Sequence, residues 1–109
     1  MMQANEIRER FNQIENSVHY AAQCCQSAKG VPMDLKDSVQ QLDQQVSQAR
    51  QTIQQSQDEN QLRQCVDDLE ELGDRAKDAC EQAGNVEDEL KTAVMQAHRQ
   101  LSNLKHQLH

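Results

Sequence analysis

Apolar side chains recur at alternating intervals of three and four residues in four separate stretches of this 109-residue chain. That spacing places the apolar residues of each stretch along one side of an α-helix, as a stripe. Because four such helices hide their stripes from water by packing together, the chain is predicted to be all-α, an antiparallel up-down-up-down four-helix bundle. The stripes are Ala4, Ile7, Phe11, Ile14, Val18, Ala21, Cys25 and Ala28; Leu35, Val39, Leu42, Val46, Ala49 and Ile53; Leu62, Val66, Leu69, Gly73, Ala76, Cys80 and Ala83, widened by Leu72 and Ala79; and Leu90, Val94, Ala97, Leu101, Leu104 and Leu108.

Glycine and proline mark two of the three helix junctions. Gly30 is able to adopt a left-handed conformation and Pro32 cannot continue a helix, so the first helix is predicted to end near residue 29. Asp34 is the predicted N-cap of the second helix. Gly84 is the predicted stop of the third helix, and Asn85 the predicted cap of the fourth.

The junction between the second and third helices has neither glycine nor proline. Nine residues separate Ile53 from Leu62, and nine steps of about 100° would point the two stripes of an unbroken helix in opposite directions. A compact monomer therefore requires a turn after Gln55, and Ser56 with Glu59 has the spacing of a capping box that would start the third helix. The alternative is one continuous helix of about 50 residues, with the bundle assembled between two chains.

The two halves of the chain come into register when the sequence is displaced by 55 residues. Since 55 is not a multiple of seven, a uniform heptad pattern would not favour this offset. The offset predicts one domain, 1–109, made of two duplicated helical hairpins, 3–55 and 58–109. The matching pairs include Asn5 and Asn60, Arg8 and Arg63, Ala21 and Ala76, Cys25 and Cys80, Leu35 and Leu90, Lys36 and Lys91, and Val39 and Val94.

In such a duplication the first and third helices lie diagonally across the bundle, as do the second and fourth. Near the two equivalent turns, the first and third helices contribute small residues, whereas Leu35, Val39, Leu90 and Val94 come from the other two. Large side chains therefore face small ones, which close packing requires, and the small residues need no ligand to explain them.

Composition narrows the classes of partner. The net charge is −7 and there is no basic stripe, so binding to nucleic acid or to an anionic membrane surface is not expected. No stretch approaches the roughly 20 apolar residues of a membrane span, and Met1 to Arg10 lacks the apolar run of a signal peptide. A cytoplasmic location is the resulting expectation, and its reducing environment predicts free thiols.

The cysteines Cys24, Cys25, Cys65 and Cys80 are the candidate thiols for metal or redox chemistry. Cys25 and Cys80 share the buried stripes, but diagonal helices hold their Cα atoms beyond the roughly 7 Å limit for a disulfide. No CxxC or HxxxH spacing completes a zinc site, so no metal ion and no cofactor is predicted. Cys24 and Cys65 lie beside the stripes, where partial exposure would permit oxidation or coupling of two chains.

The histidines are scattered, at positions 19, 98, 106 and 109. His98 invites comparison with phosphotransfer bundles, but Leu101 and Ser102 stand where those proteins have lysine and glycine, so that role is not expected. His19 and His98 are predicted to approach each other across neighbouring helices, as at most a weak metal site.

Two polar surfaces are candidates for protein binding. Asp67, Glu71, Asp74 and Asp78 form a predicted acidic stripe on the outer face of the third helix, able either to steer a basic partner or simply to keep the protein in solution. The second helix carries glutamine over its polar side, as helix filler or as a contact surface for another helix. These glutamines are Gln40, Gln41, Gln44, Gln45, Gln48, Gln51, Gln54 and Gln55.

The chain has no phosphate-binding glycine loop, no glycine-flanked serine and no inward pair of carboxylates, so an enzyme is not predicted. The resulting hypothesis is a non-enzymatic helical module that binds another protein, as an adaptor, regulator or small scaffold, and homodimerisation is compatible with it. The alternative is a thiol-based metal-binding or redox-responsive protein.

Overall fold

The computed structural model describes residues 4–56 and 58–108, and over these ranges the chain is a compact four-helix bundle without strands. The all-α prediction is confirmed. None of the helices, over the same ranges, combines the length and apolarity needed to span a bilayer. The helices are α1 (Ala4–Ser27), α2 (Met33–Gln55), α3 (Glu59–Ala83) and α4 (Asp88–Leu108).

The predicted stripes turn inward and form the core. All six stripe residues of α2 are buried, and so are those of α1 from Ile7 to Cys25. Stripe positions at the helix ends, such as Ala28, Ala83 and Leu108, are half-buried, because neighbouring helices cover a helix end on fewer sides. The side chain of Ala4, the first predicted stripe position, lies outside the described residues.

The core divides into two apolar clusters along the bundle. One contains the large side chains of all four helices, including Phe11, Val46, Leu69 and Leu101. The other combines small residues of α1 and α3 with Leu35, Val39, Leu90 and Val94 from α2 and α4. The predicted packing of large against small residues near the turns is therefore confirmed, and Ala22 and Ala93 join it outside the predicted stripes.

Each helix packs against two others: α1 against α2 and α4, and α3 against the same two. The contacting residues of α1 and α2 run in opposite directions, since Arg8 Nε donates to the carbonyl of Ile53 at 3.4 Å while His19 contacts Asp43. These contacts make α1 and α2 antiparallel, and the packing places α1 and α3 diagonally; the up-down-up-down order of the whole bundle stays a prediction. Duplication of a hairpin stays a prediction, for which the ionic contacts described below are new support.

A turn separates α2 from α3, as the compact alternative requires. Its predicted capping box is wrong. Asp58 is the N-cap, its side chain accepting from the amide of Asn60 at 3.0 Å, while Ser56 ends α2 and donates through Oγ to Gln61 at 2.8 Å. Aspartate caps helices as well as serine does, so pattern alone did not distinguish two candidates two residues apart.

Two other predicted caps are also wrong. Asp34 lies inside the first turn of α2, and Pro32 is the N-cap, its carbonyl accepting from the amide of Lys36 at 3.0 Å. Asn85 lies before α4, which begins at Asp88. The cause is Gly84, whose φ of 75° and ψ of −57°, with a hydrogen bond from Asn85 to the carbonyl of Ala83, form a γ-turn that directs the chain away before it re-enters a helix.

Candidate functional site

A histidine and two carboxylates meet on the surface where α3 packs against α4. His98 Nε2 of α4 lies 2.5 Å from Asp74 Oδ1 of α3, and Glu70 stands one helical turn before Asp74. The ligand-type atoms of Glu70, Asp74 and His98 all lie within 4.8 Å of one another. Lys105 completes the group by donating to Glu70 Oε2 at 3.3 Å. We call these four residues the α3–α4 cluster.

The environment of this cluster is half-buried. The side chains of Glu70 and His98 are only 13% and 17% exposed, whereas that of Asp74 is 50% exposed. The hydrogen bond to Glu70 raises the pKa of Lys105, because it and the surrounding carboxylates favour the charged ammonium. The cluster therefore combines restricted side chains with an open side towards water.

A second cluster of the same residue types lies where α1 packs against α2. His19 contacts Asp43 through Nδ1, and its Nε2 lies 3.8 Å from Glu15 Oε2. Arg50 Nε is 4.0 Å from the other oxygen of Glu15, which is the one polar residue among the buried side chains that the structure describes. We call these four residues the α1–α2 cluster.

The two clusters occupy equivalent positions under the 55-residue offset. Glu15 corresponds to Glu70, and the basic Arg50 corresponds to Lys105. The histidine and aspartate exchange helices: His19 stands where Asp74 stands, and Asp43 where His98 stands. Opposite partners are kept across each helix pair although neither position keeps its residue, and this agrees with the predicted duplication.

Sequence comparison missed this relation because an exchanged His and Asp score as two mismatches. The signal that would find it is the pair of positions taken together, since His at one and Asp at the other preserves the contact in either order. The predicted approach of His19 to His98 is not what the structure forms, because each histidine is paired with a carboxylate in a different groove.

The exchange changes the geometry of the contacts. In the α1–α2 cluster the imidazole lies between the two carboxylates and presents a different ring nitrogen to each. In the α3–α4 cluster His98 Nε2 contacts Asp74, and one ligand-type atom each of Glu70, Asp74 and His98 lies within 4.8 Å of the other two. The second arrangement thus gathers one ligand-type atom from each of three residues in a single small region.

Gly73 allows the close packing of α3 against α4 beside this cluster. A Cβ atom at this position would lie 3.1 Å from Leu101 Cδ1 and 3.9 Å from the Cα of His98. Because Gly73 has no side chain, the backbone of His98 can lie close to α3. Gly73 directly precedes Asp74 in the sequence. The equivalent position in the first half is Val18, which is fully buried.

Comparison with known proteins does not identify a relative of this chain. Comparisons with protein families, curated proteins and solved structures find no match.

The predicted acidic stripe is partly engaged within the molecule. Asp74 contacts His98, Glu71 lies 3.6 Å from Arg75, and Asp67 also has an interaction partner. Asp78 is exposed. Some carboxylates of the stripe are therefore paired with residues of the same bundle. The role of the stripe in binding a partner stays a prediction.

All four cysteines are free. Cys25 and Cys80 are buried in the apolar cluster that contains the small residues, as expected. Cys24 is half-buried beside this cluster, and Cys65 is half-buried beside the larger apolar cluster. Burial raises the pKa of the Cys25 thiol to about 11 and also raises the pKa values of Cys65 and Cys80. Desolvation disfavours the thiolate, which is the form that attacks disulfides and binds metals.

Thiol titration tests the redox alternative. We expect Cys25 and Cys80 to react with an aromatic disulfide reagent at least tenfold more slowly than Cys24 in the folded protein, and all four to react alike in denaturant, because the thiolate is suppressed and covered. Mass spectrometry of single cysteine-to-alanine variants assigns the rates. Rapid reaction of Cys25 or Cys80, or a reversible disulfide between any pair, would favour the thiol-based alternative.

A further contact joins α1 to α4. The hydroxyl of Tyr20, a side chain 45% exposed, donates to Glu89 Oε1, and this hydrogen bond is the main reason that the pKa of Tyr20 is raised to about 12. The carboxylate stabilises the neutral phenol and opposes its ionisation. A groove beside this pair is lined by Gln23, Cys24 and Glu87.

Proposed function

We propose that this protein is a non-enzymatic module that binds another protein, and that the outer face of α2 is its contact surface. The observation that supports the proposal most strongly is the exposure of the eight glutamines of α2, every one of which faces solvent. We call them the glutamine face. It is continuous over four turns of one helix.

The glutamine face is also uncharged, which is unusual in a protein with a net charge of −7. Asp43 and Arg50 are the charged residues between positions 40 and 55, and both pair with α1, through His19 and Glu15. A helix that contacts only these eight glutamines desolvates neutral amides and no charged group. Each glutamine amide supplies donors and an acceptor for such a contact.

Among the described residues, the interior of the bundle does not provide a comparable contact surface for a partner. Its two apolar clusters consist of the bundle's own side chains, and these are accounted for by packing. An adaptor, a regulator or a small scaffold needs only an exposed surface, and a second copy of this chain is one possible partner. Its cytoplasmic location and lack of enzymatic activity stay predictions.

Charge placed on the glutamine face tests the proposal. The variant Q44E/Q48E/Q51E introduces three carboxylates on the outermost positions of α2, and the matched control Q13E/Q23E/Q26E introduces three at exposed positions of α1. Both change the net charge equally. Circular dichroism verifies that both fold, since exposed substitutions of this type cost a few tenths of a kcal/mol each.

The binding measurement uses the native chain and both variants as baits in extract from the source cells, with quantitative mass spectrometry, and sedimentation of the purified proteins for self-association. We expect a protein, or a second copy, that the native chain and the control bind and that Q44E/Q48E/Q51E binds at least tenfold more weakly, because buried unpaired charges oppose association. Equal binding by all three baits, or a monomer without partners, would contradict the proposal.

A further inference from the structure

We propose that Glu70, Asp74 and His98 form a binding site for a divalent transition-metal ion, for which Zn²⁺ is the probe. The three residues supply two carboxylate oxygens and one imidazole nitrogen, all within 4.8 Å of one another. Imidazole and carboxylate are ordinary ligands of Zn²⁺, whereas Mg²⁺ and Ca²⁺ prefer oxygen alone. The imidazole therefore decides the class of ion.

The separations suit coordination after small side-chain movements. Bonds of 2.0–2.2 Å in a tetrahedron place ligand atoms roughly 3.3–3.6 Å apart. His98 Nε2 and Asp74 Oδ1, at 2.5 Å, need to separate slightly, and Glu70 already has a ligand-type atom within 4.8 Å of both partners. Three protein ligands leave a fourth position for water.

The backbone fixes two of the three ligands relative to each other. Glu70 and Asp74 are four residues apart on α3, so their side chains share one face of the helix. Gly73 brings the backbone of His98 close to that face. The prediction of no metal site rested on cysteine and histidine spacings along the chain, which do not register carboxylates that a neighbouring helix contributes.

Lys105 is the resident competitor of the ion. Its ammonium donates to Glu70 Oε2 at 3.3 Å and is 40% exposed, so it can withdraw into solvent. A bound cation repels it and takes its partner. Removing this ammonium by K105M is therefore expected to tighten metal binding by about three- to tenfold, given the strength of charge interactions near a protein surface.

The α1–α2 cluster serves as an internal control. It also combines a histidine, two carboxylates and a basic residue, but its two carboxylates contact different nitrogens of the histidine ring. His19 presents different nitrogens to Asp43 and Glu15, so an ion bound by one carboxylate and the ring cannot be reached by the other in this arrangement. We expect no binding there at concentrations that saturate the α3–α4 cluster.

The experiment titrates the full-length reduced protein with Zn²⁺ by calorimetry and with Co²⁺ by visible absorption. We expect one ion per chain, a cobalt spectrum without thiolate charge-transfer bands, and at least tenfold weaker binding in H98Q, D74N and E70Q. H19Q and H106Q are the matched controls and are expected to bind like the native chain. Circular dichroism of each metal-free variant establishes that it folds.

An independent readout is thermal stability, since an ion that binds only the folded state raises the melting temperature of the native chain and of H19Q but not of H98Q. Equal affinity in H19Q and H98Q, thiolate bands in the cobalt spectrum, or absence of saturable binding would each overturn the proposal. Unchanged binding in E70Q would remove Glu70 from the ligand set, and unchanged or weaker binding in K105M would contradict the competition between Lys105 and the ion.

Discussion

Replacing Phe11 by alanine is expected to lower the free energy of unfolding by about 3–5 kcal/mol, the range observed when a buried aromatic is truncated. Phe11 is 1% exposed, is the single phenylalanine of the chain and packs in the larger apolar cluster. A domain of this size has a total stability of about 5–15 kcal/mol, so the variant loses much of it.

Urea denaturation followed by circular dichroism measures this loss. The matched control is N12A, at the exposed neighbouring position of the same helix, which is expected to change stability by less than about 0.5 kcal/mol. A loss below about 1.5 kcal/mol in F11A would show that neighbouring side chains fill the space, and that the core is less tightly packed than the structure indicates.

The same position tests whether the two halves of the chain contribute to one packed layer of the core. Val66 corresponds to Phe11 under the 55-residue offset, and both are buried in one cluster on diagonal helices. F11V leaves a cavity and V66F overfills the core, each at a cost of about 1–3 kcal/mol. The exchange F11V/V66F keeps the total volume, so we expect it to cost at least about 1 kcal/mol less than the sum. Strict additivity would argue that the two residues do not share a layer.

Replacing Gly73 by valine is expected to cost about 1–3 kcal/mol through overpacking. A Cβ atom there already lies 3.1 Å from Leu101 Cδ1, a contact tighter than side chains normally make, and valine adds two further methyl groups. Because helix propensity favours valine over glycine, a loss of stability would be due to the contact between α3 and α4 and not to the helix itself.

The double variant G73V/L101V is the control for that interpretation. Under the offset, Gly73 and Leu101 correspond to Val18 and Val46, which are both fully buried in the first half of the chain. The second half therefore uses glycine with leucine where the first uses valine with valine. We expect G73V/L101V to recover at least about 1 kcal/mol relative to G73V, and L101V alone to lose about 0.5–1.5 kcal/mol. If L101V does not relieve G73V, Leu101 is not the obstructing side chain.

Much of the fold could be predicted from the sequence, because the burial of apolar side chains in a helix bundle follows the helical period. The stripe of α2 predicted every buried residue of that helix. Gly30 and Gly84 predicted the ends of α1 and α3, and both have positive φ angles. The caps were less predictable: Asp58, Ser56 and Asp34 have similar capping chemistry, and a capping side chain contributes only about 1 kcal/mol relative to alanine.

The sequence by itself determined the helices, their buried faces and the offset that relates the halves, since these depend on residues a few positions apart along one chain. Only the tertiary structure decided which charged groups meet. His98 and Asp74 are distant in sequence and belong to different helices, so no local rule pairs them, and a free histidine looks the same in sequence as a partnered one. Helix packing determines whether an imidazole lies between two carboxylates, as at His19, or whether all three groups place one ligand-type atom within 4.8 Å of the others, as at His98.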